Sequence, residues 1–294
     1  MEMKEVPFKV DLGETEKEIE ELGEINLPAF SFTDVSELDC DVWGIDGGRA
    51  VVDGEKGSLG IVVVAKVGKR KEKKGWGIFS PSQGESSAFK GASLLSEPLV
   101  GSEEEGIVFM DGSASTFTVS LASALFSLDS EPPLVREFFF EKLRKGTEAL
   151  LSLWGRAVFC PKIVRKRHLV AYLEKSKGIK IPYSDLYTAD KILKEGTYFS
   201  LKAGEVEGRD IKWPDKVFFP YKEELEEKLR ERKVVFFKRK GFTYKVELWG
   251  VEEEVFFGLV DFFHNGKNLL TSLADKEAKE GVQLEVSINE KTVR

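Results

Sequence analysis

Two stretches of this chain run an apolar strand directly into Asp-Gly. One is Val42-Trp43-Gly44-Ile45-Asp46-Gly47-Gly48, the other Ile107-Val108-Phe109-Met110-Asp111-Gly112-Ser113. A carboxylate at the end of a buried strand is costly unless something compensates its charge. The glycine that follows lets the backbone turn sharply and lets a ligand approach the main chain. If the two strands are neighbours in one sheet, their carboxylates meet at its edge. Hard cations such as Mg²⁺ or Mn²⁺ favour that oxygen-rich setting, and a pair of them can activate water and stabilise the leaving oxygen of a phosphodiester. Asp-Gly is also a common turn dipeptide, so the pattern alone leaves a structural reading level with the catalytic one.

The rest of the chain narrows the choice. Its 294 residues suit one large domain or two small ones, and 41% hydrophobic with 32% charged residues is a globular composition. A net charge of −7 argues against a protein that coats nucleic acid by bulk charge. It does not exclude a nuclease, whose site is built from carboxylates. Cys40 and Cys160 are far apart and rule out a zinc ribbon or disulfide framework; His168 and His264 are too few for a histidine-rich metal cage. The charged first residues do not read as a signal peptide, and no apolar run approaches the roughly 18 residues of a membrane span. A cytoplasmic setting is expected. High charge with few Cys and Met leans thermophilic.

The patterning predicts a β-meander first. Val42 to Asp53 and Ser58 to Lys66 form a hairpin over Gly54-Glu55-Lys56-Gly57. Lys69 to Lys74 reads as a basic turn and Trp76 to Phe79 as a third strand. Gln83 to Ser96 reads as a helix with Ala88, Ala92 and Leu95 on one face, ended by Pro98. After the strand Gly106 to Met110 come helices at Ser120 to Leu128 and Leu134 to Leu153, then a strand Ala157 to Cys160. Further on, Glu14 to Leu22, Ser184 to Leu193 and Lys222 to Arg232 read as helices, and Lys216 to Phe219 as a short strand. Val234 to Lys238 and Phe242 to Leu248 form a hairpin, Glu254 to Leu270 a helix carrying His264, and Val282 to Ile288 a strand in a polar tail. Strands first, then strands alternating with helices, indicate a mixed α/β domain.

At these residues the chain resembles the NurA nuclease family. Ile45-Asp46-Gly47-Gly48-Arg49-Ala50 and Phe109-Met110-Asp111-Gly112-Ser113 resemble its two Asp-Gly-Ser-type motifs. Gly155 to Lys162 resembles its lysine-delivering strand, Ser184-Asp185 to Gly196 its Ser/Thr-Asp helix, Phe236 to Leu248 its late strand pair, and Phe256 to His264 its final helix. Order and spacing carry the likeness over about 40 to 280, within a single domain of 1–294. The resemblance implies a ribonuclease-H-like mixed sheet flanked by helices, with extra strands and helices in the C-terminal half. It implies a Mn²⁺-dependent (or Mg²⁺-dependent) DNA nuclease using two ions, working with a hexameric HerA-type helicase in DNA end resection, as a homodimer. Cleavage as a 5′–3′ exonuclease or as a single-strand endonuclease would both fit; the residues do not decide polarity or strand preference. Carried over by residue, Asp46 and Asp111 hold metal, Lys162 neutralises the scissile phosphate, and His264 holds metal or phosphate or moves a proton. For the family's helical Glu the choice is Glu85, at the start of a predicted helix, over Glu97 beside Pro98 and over the turn residues Glu103 to Glu105. The family's late Tyr is Phe256 or Phe257 here.

Bland readings stand beside these. Lys162 could be a surface lysine, and Asp261 with His264 a solvated helix pair. Lys66 to Lys74 and Lys162 to Arg167 are the best local phosphate-binding runs, though charge runs are usually solvated. His168 falls in a basic turn that contacts DNA or solvent. The Phe138-Phe139-Phe140, Phe256-Phe257 and Phe262-Phe263 groups point to core packing. Two other functions remain open: an actin-like-core ATPase or kinase, and a NurA-like scaffold subunit with weakened catalysis.

Overall fold

The computed structural model describes residues 27–32, 40–81, 84–161, 167–178, 180–207, 211–215 and 217–293, with side chains to 289. The predicted meander is there: β2 (Val42–Gly54), β3 (Gly57–Val67) and β4 (Lys71–Ser80), antiparallel, with Gly54 paired to Gly57 at the first turn. β5 (Ile107–Asp111) lies parallel beside β2, pairing Met110 with Ile45, and β6 (Ala157–Cys160) lies parallel beside β5. The order β4-β3-β2-β5-β6 is the ribonuclease-H-like arrangement. Beyond β6 the sheet continues antiparallel through β9 (Phe242–Trp249), β8 (Lys233–Arg239), β7 (Thr197–Lys202) and the short β1 (Phe30–Ser31). β7, β8 and β9 are the extra C-terminal strands, and β1 joins them from ahead of the meander. The central parallel strands read as unbroken apolar runs because both their faces are covered; Val108, Phe109, Met110, Val158 and Phe159 are completely buried.

One face carries α1 (Ser87–Leu94), α2 (Ser96–Ser102), α3 (Ala114–Ser127) and α4 (Pro133–Ser152), packed on Ile45, Val62, Val64, Met110 and Phe159. Farther along that face, α5 (His168–Lys177) and α6 (Asp185–Ile192) cover Val234 and Phe236, while α7 (Lys222–Glu231) joins the larger cluster through Leu225 and Leu229. The opposite face carries α8 (Glu253–Phe257), a hairpin of β10 (Phe263–His264) and β11 (Lys267–Asn268), and α9 (Leu269–Val293). Phe256, Phe257 and Phe263 pack there with Phe109 and Phe237, and Phe139 is buried on the first face. The aromatic groups are core, as expected.

The chain departs from the predicted elements chiefly near its end. Instead of one helix from Glu254 to Leu270, α8 stops and a hairpin follows, because Asn265 and Gly266 both take positive φ. Residues 282–288 are helical within α9, not a strand. Its packing face is made of Ala274, Ala278 and Gly281 rather than large apolar residues, so the segment looks merely polar in sequence. Residues 217–219 form no strand, α3 begins six residues earlier than predicted, and most of the basic run 69–74 lies in β4. The segment Glu14 to Leu22 lies outside the described residues.

α9 sits flush on β2 because two glycines on one face of that strand admit it. A Cβ on Gly44 would lie 2.3 Å from the Leu270 carbonyl carbon, and one on Gly48 would lie 2.9 Å from Val282 Cγ2. Gly44→Ala should therefore force backbone away from backbone, costing about 1–3 kcal/mol and lowering the thermal midpoint by several degrees. An unchanged midpoint would show that α9 is not seated on β2.

Candidate active site

Asp46 and Asp111 each follow the last residues paired between β2 and β5, Ile45 and Met110. They thus occupy matching places on neighbouring strands, which run about 5 Å apart. By strand alternation both point to the face that carries Gly44, Gly48 and Phe109. Each is tied to its own turn: the Gly47 amide donates to Asp46 Oδ1 at 2.8 Å, and the Gly112 amide to Asp111 Oδ1 at 3.0 Å. Gly112 has φ of 93°, a conformation that favours glycine, and the chain then enters α3 with Ser113 accepting from the Thr116 amide at 3.2 Å.

A third carboxyl group reaches the same edge from the α2 face of the sheet, against Gly47. Glu97 lies in the first turn of α2, is only 4% exposed, and has one oxygen against Gly47, where a Cβ would lie 2.8 Å away. Burial holds its carboxyl well above the usual carboxylate range. The charges of Asp46 and then Asp111 push it the same way, opposed by the Gly47 amide and by Arg49. Its second oxygen, Oε2, is buried with no hydrogen-bond partner among the described residues. Pro98 misleads here. It ends a helix that it interrupts, but in the first turn of a new helix its missing N–H costs nothing. α1 ends at Leu94, α2 starts at Ser96, and Glu97 is thereby held rigidly rather than loosely.

Glu85 stands elsewhere. It is ion-paired with Arg49 and, at 3.3 Å, with Lys90; burial would raise its carboxyl, but those two cations hold it below the ordinary range. His264 is exposed on β10. Its neighbour Phe263 packs on Phe109, two residues before Asp111, with ring centroids 5.5 Å apart. The hairpin therefore lies on the Asp111 side of the sheet, held by Arg239, which donates to the Phe263 and Val260 carbonyls and pairs with Asp261. Asp261 is thus engaged with Arg239 rather than sharing a helix with His264. Lys162 lies outside the described residues. Cys160 pairs with Asp111 across β5 and β6, and burial, then the Asp111 charge, push its thiol up.

Among solved structures the chain is similar to the NurA nuclease from Sulfolobus solfataricus, at 15% identity over 95% of this chain and 92% of that one, with a TM-score of 0.58. It is similar to a structure of NurA with manganese at 11% identity, over 96% and 97% of the two chains, TM-score 0.57. A further NurA structure aligns at 10% identity over 91% and 92%, TM-score 0.53. The chain has the NurA fold. No family model and no curated protein matches it in sequence.

On this NurA fold the basic run 66–74 is neutralised from within. Lys66 is buried against Glu104 and Glu72, Arg70 also meets Glu104, and Lys74 pairs with Glu103. Lys71 and Lys73 both reach Glu277 of α9 at 2.9 Å, and Lys69 meets Asp41. The run is thus paired with carboxylates, with Lys66 buried and Lys69, Arg70 and Lys71 still largely exposed. His168 is likewise buried, not in a solvated turn: Lys245 Nζ donates to its Nδ1 at 2.8 Å, so its Nε2 donates to Glu207 at 2.7 Å. Burial, together with the nearby Lys245 charge, holds this imidazole below its ordinary range.

Whether three crowded carboxyl groups suit a cation can be judged from their own chemistry. Among the described residues no group of three His, Cys, Asp or Glu side chains is already arranged to hold a metal ion. Yet the Glu97 Oε2 is a buried acceptor lacking a donor among the described residues, beside two further carboxylates whose charges oppose its ionisation. A divalent cation supplies what is missing, so the donor set fits one. Without it, the cluster gains a proton instead. Because the folded-state value of Glu97 is raised, the folded protein holds this proton more tightly than the unfolded chain. Its contribution to stability therefore rises as pH falls through the raised value toward 4.5, the unperturbed one. Glu97→Gln should stabilise the metal-free protein at neutral pH by about 1–2 kcal/mol and flatten this pH dependence in denaturant titrations. A variant that is less stable, with the slope intact, would mean that Glu97 bears no such strain.

Proposed function

We propose that this chain is a divalent-cation-dependent DNA nuclease. The observation that carries the reading is the cluster of Asp46, Glu97 and Asp111, with a buried Glu97 oxygen unpartnered among the described residues, at the carboxyl edge of a ribonuclease-H-like sheet. The NurA fold supports it, and manganese is the favoured ion because one similar NurA structure is described with that metal. Asp46, Glu97 and Asp111 would hold the ion or ion pair, Glu97 taking the place that sequence gives to Glu85. When bound, such ions lower the pKa of water and stabilise charge on the phosphodiester oxygens.

The chain's own residues do the rest of the work in this reading. The carboxylates are fixed by the Gly47 and Gly112 amides, so they need no reordering as a substrate arrives. Lys162 would meet the scissile phosphate, and His264, on its exposed hairpin beside Phe109, would bind phosphate or transfer a proton. The partners belonging to this reading are DNA, a hexameric HerA-type helicase and a second copy of the chain, acting in end resection. Phosphate contacts would come from locally clustered lysines and arginines, which accords with a net charge of −7.

Asp46→Asn, Asp111→Asn and Glu97→Gln should each lower Mn²⁺-dependent cleavage of linear DNA by at least about a hundredfold, while circular dichroism stays native. Glu85→Gln should leave the rate within about threefold, since it loses only partly exposed ion pairs. Full activity in all three site variants would sink the reading; loss in Glu85→Gln alone would return the third carboxylate to that residue.

A further inference from the structure

A second set of buried charges, which the proposed chemistry does not use, borders the Asp111 turn. Arg232, fully buried, donates Nε to Glu247 Oε2 at 3.0 Å, Nη2 to Ser115 Oγ at 2.8 Å, and both terminal nitrogens to Glu207 at 2.9 and 3.2 Å. Glu247 Oε2 also accepts from the Ala114 amide at 3.1 Å. Ala114 and Ser115 are the first two residues of α3, and only Gly112 and Ser113 separate them from Asp111. Burial would raise the Glu247 carboxyl, but the surrounding charges, Arg232 foremost with His168 and Lys245, together with the Arg232 hydrogen bond hold it low. The strand that carries Glu247 is itself clamped. Lys245, two residues earlier on β9, donates to Asp185 Oδ2 at 2.9 Å and to His168 Nδ1, while Asp185 accepts the His168 and Val170 amides at the start of α5 at 2.7 and 3.0 Å.

We propose that Glu247, locked by Arg232, is a positioning residue for Asp111. The first amides of a helix have no intrahelical acceptor, and a buried carboxylate on one of them makes a strong charge-assisted bond. That bond fixes where α3 begins. The two-residue turn between is tight, with Gly112 in a left-handed conformation and Ser113 capping the helix, so fixing Ala114 fixes the Asp111 carboxyl too. Crowding by Asp46 and Glu97 at this edge tends to displace Asp111, whose own turn supplies the Gly112 amide. The bracket from β9 opposes that displacement from the other side of the sheet. The proposal rests on the nuclease reading, because it concerns how a metal-holding carboxylate is kept in place.

The test compares the wild type with Glu247→Gln and with the milder Ser115→Ala, which removes one Arg232 contact and leaves Glu247 in place. Mn²⁺ alone is titrated into each protein, with free ion followed by electron paramagnetic resonance, and DNA cleavage is measured against Mn²⁺ concentration. Glu247→Gln should weaken Mn²⁺ binding about tenfold or more, with most of kcat recovered at saturating metal and KM for DNA little changed. Ser115→Ala should shift binding by about threefold in the same direction. A merely structural role would lower the thermal midpoint and leave the Mn²⁺ midpoint of the folded protein where it was. Unmoved Mn²⁺ midpoints in both variants overturn the proposal, as does an unmoved midpoint in Ser115→Ala if Glu247→Gln does not fold. Wild-type protein that neither binds Mn²⁺ nor cuts DNA overturns this proposal and the nuclease reading together; active wild type with unmoved variants overturns this one alone.

Discussion

Like charge held close is the constraint around which this molecule is organised. Asp46 and Asp111 stand at matching places on adjacent strands, and Glu97 is pressed against Gly47 with one oxygen unsatisfied. Left to themselves such groups separate or protonate. Here rigid elements deny them the first option. β2 and β5 are locked in register, α2 is buried against the sheet, and the start of α3 is tied to Glu247. The fold stores repulsion at one edge and offsets it with packing everywhere else.

Most of the sheet could be read from the chain because its strands carry strong local signals. The apolar runs at 42–46, 59–65 and 107–110 leave few alternatives, and the glycines at 54 and 57 mark the hairpin. The register between β2 and β5 was not legible, since no local pattern sets the pairing of strands so far apart; the repeated Asp-Gly hinted at it. What escaped was the last part of the chain, for a related reason. α9 seats Leu270, Ala278 and Val282 on the glycines of β2 and sets the small Ala274 and Gly281 against β3. A helix whose buried face is small shows little hydrophobic periodicity, so its partner has to be seen before its pattern makes sense.

The site proposed here was legible in part. Asp46 and Asp111 follow from strand-then-Asp-Gly. Glu97 was hidden by Pro98, whose effect depends on whether it falls within a helix or in its first turn, which only the break at Leu95 settles. The basic run 66–74 shows the converse. Its cations are conspicuous in sequence, whereas Asp41, Glu103, Glu104 and Glu277, which neutralise them, lie scattered along the chain. His168 was misread likewise, because Asp185, Glu207 and Lys245 come together around it only through tertiary structure. Charge in a sequence announces itself; its compensation does not.

The flush seat of α9 on β2 has a kinetic side. The strand that carries Asp46 is among the first core elements in the chain, and the helix that covers it is the last. Contacts between such distant segments require a large loop to close before any stabilisation is gained, which slows their formation. The meander and the parallel pair can assemble from nearer segments, whereas the cover over Gly44 and Gly48 can arrive only at the end. Docking of that helix is thus expected to be a late event, and until it occurs the strand beneath the carboxylates keeps one face open to water.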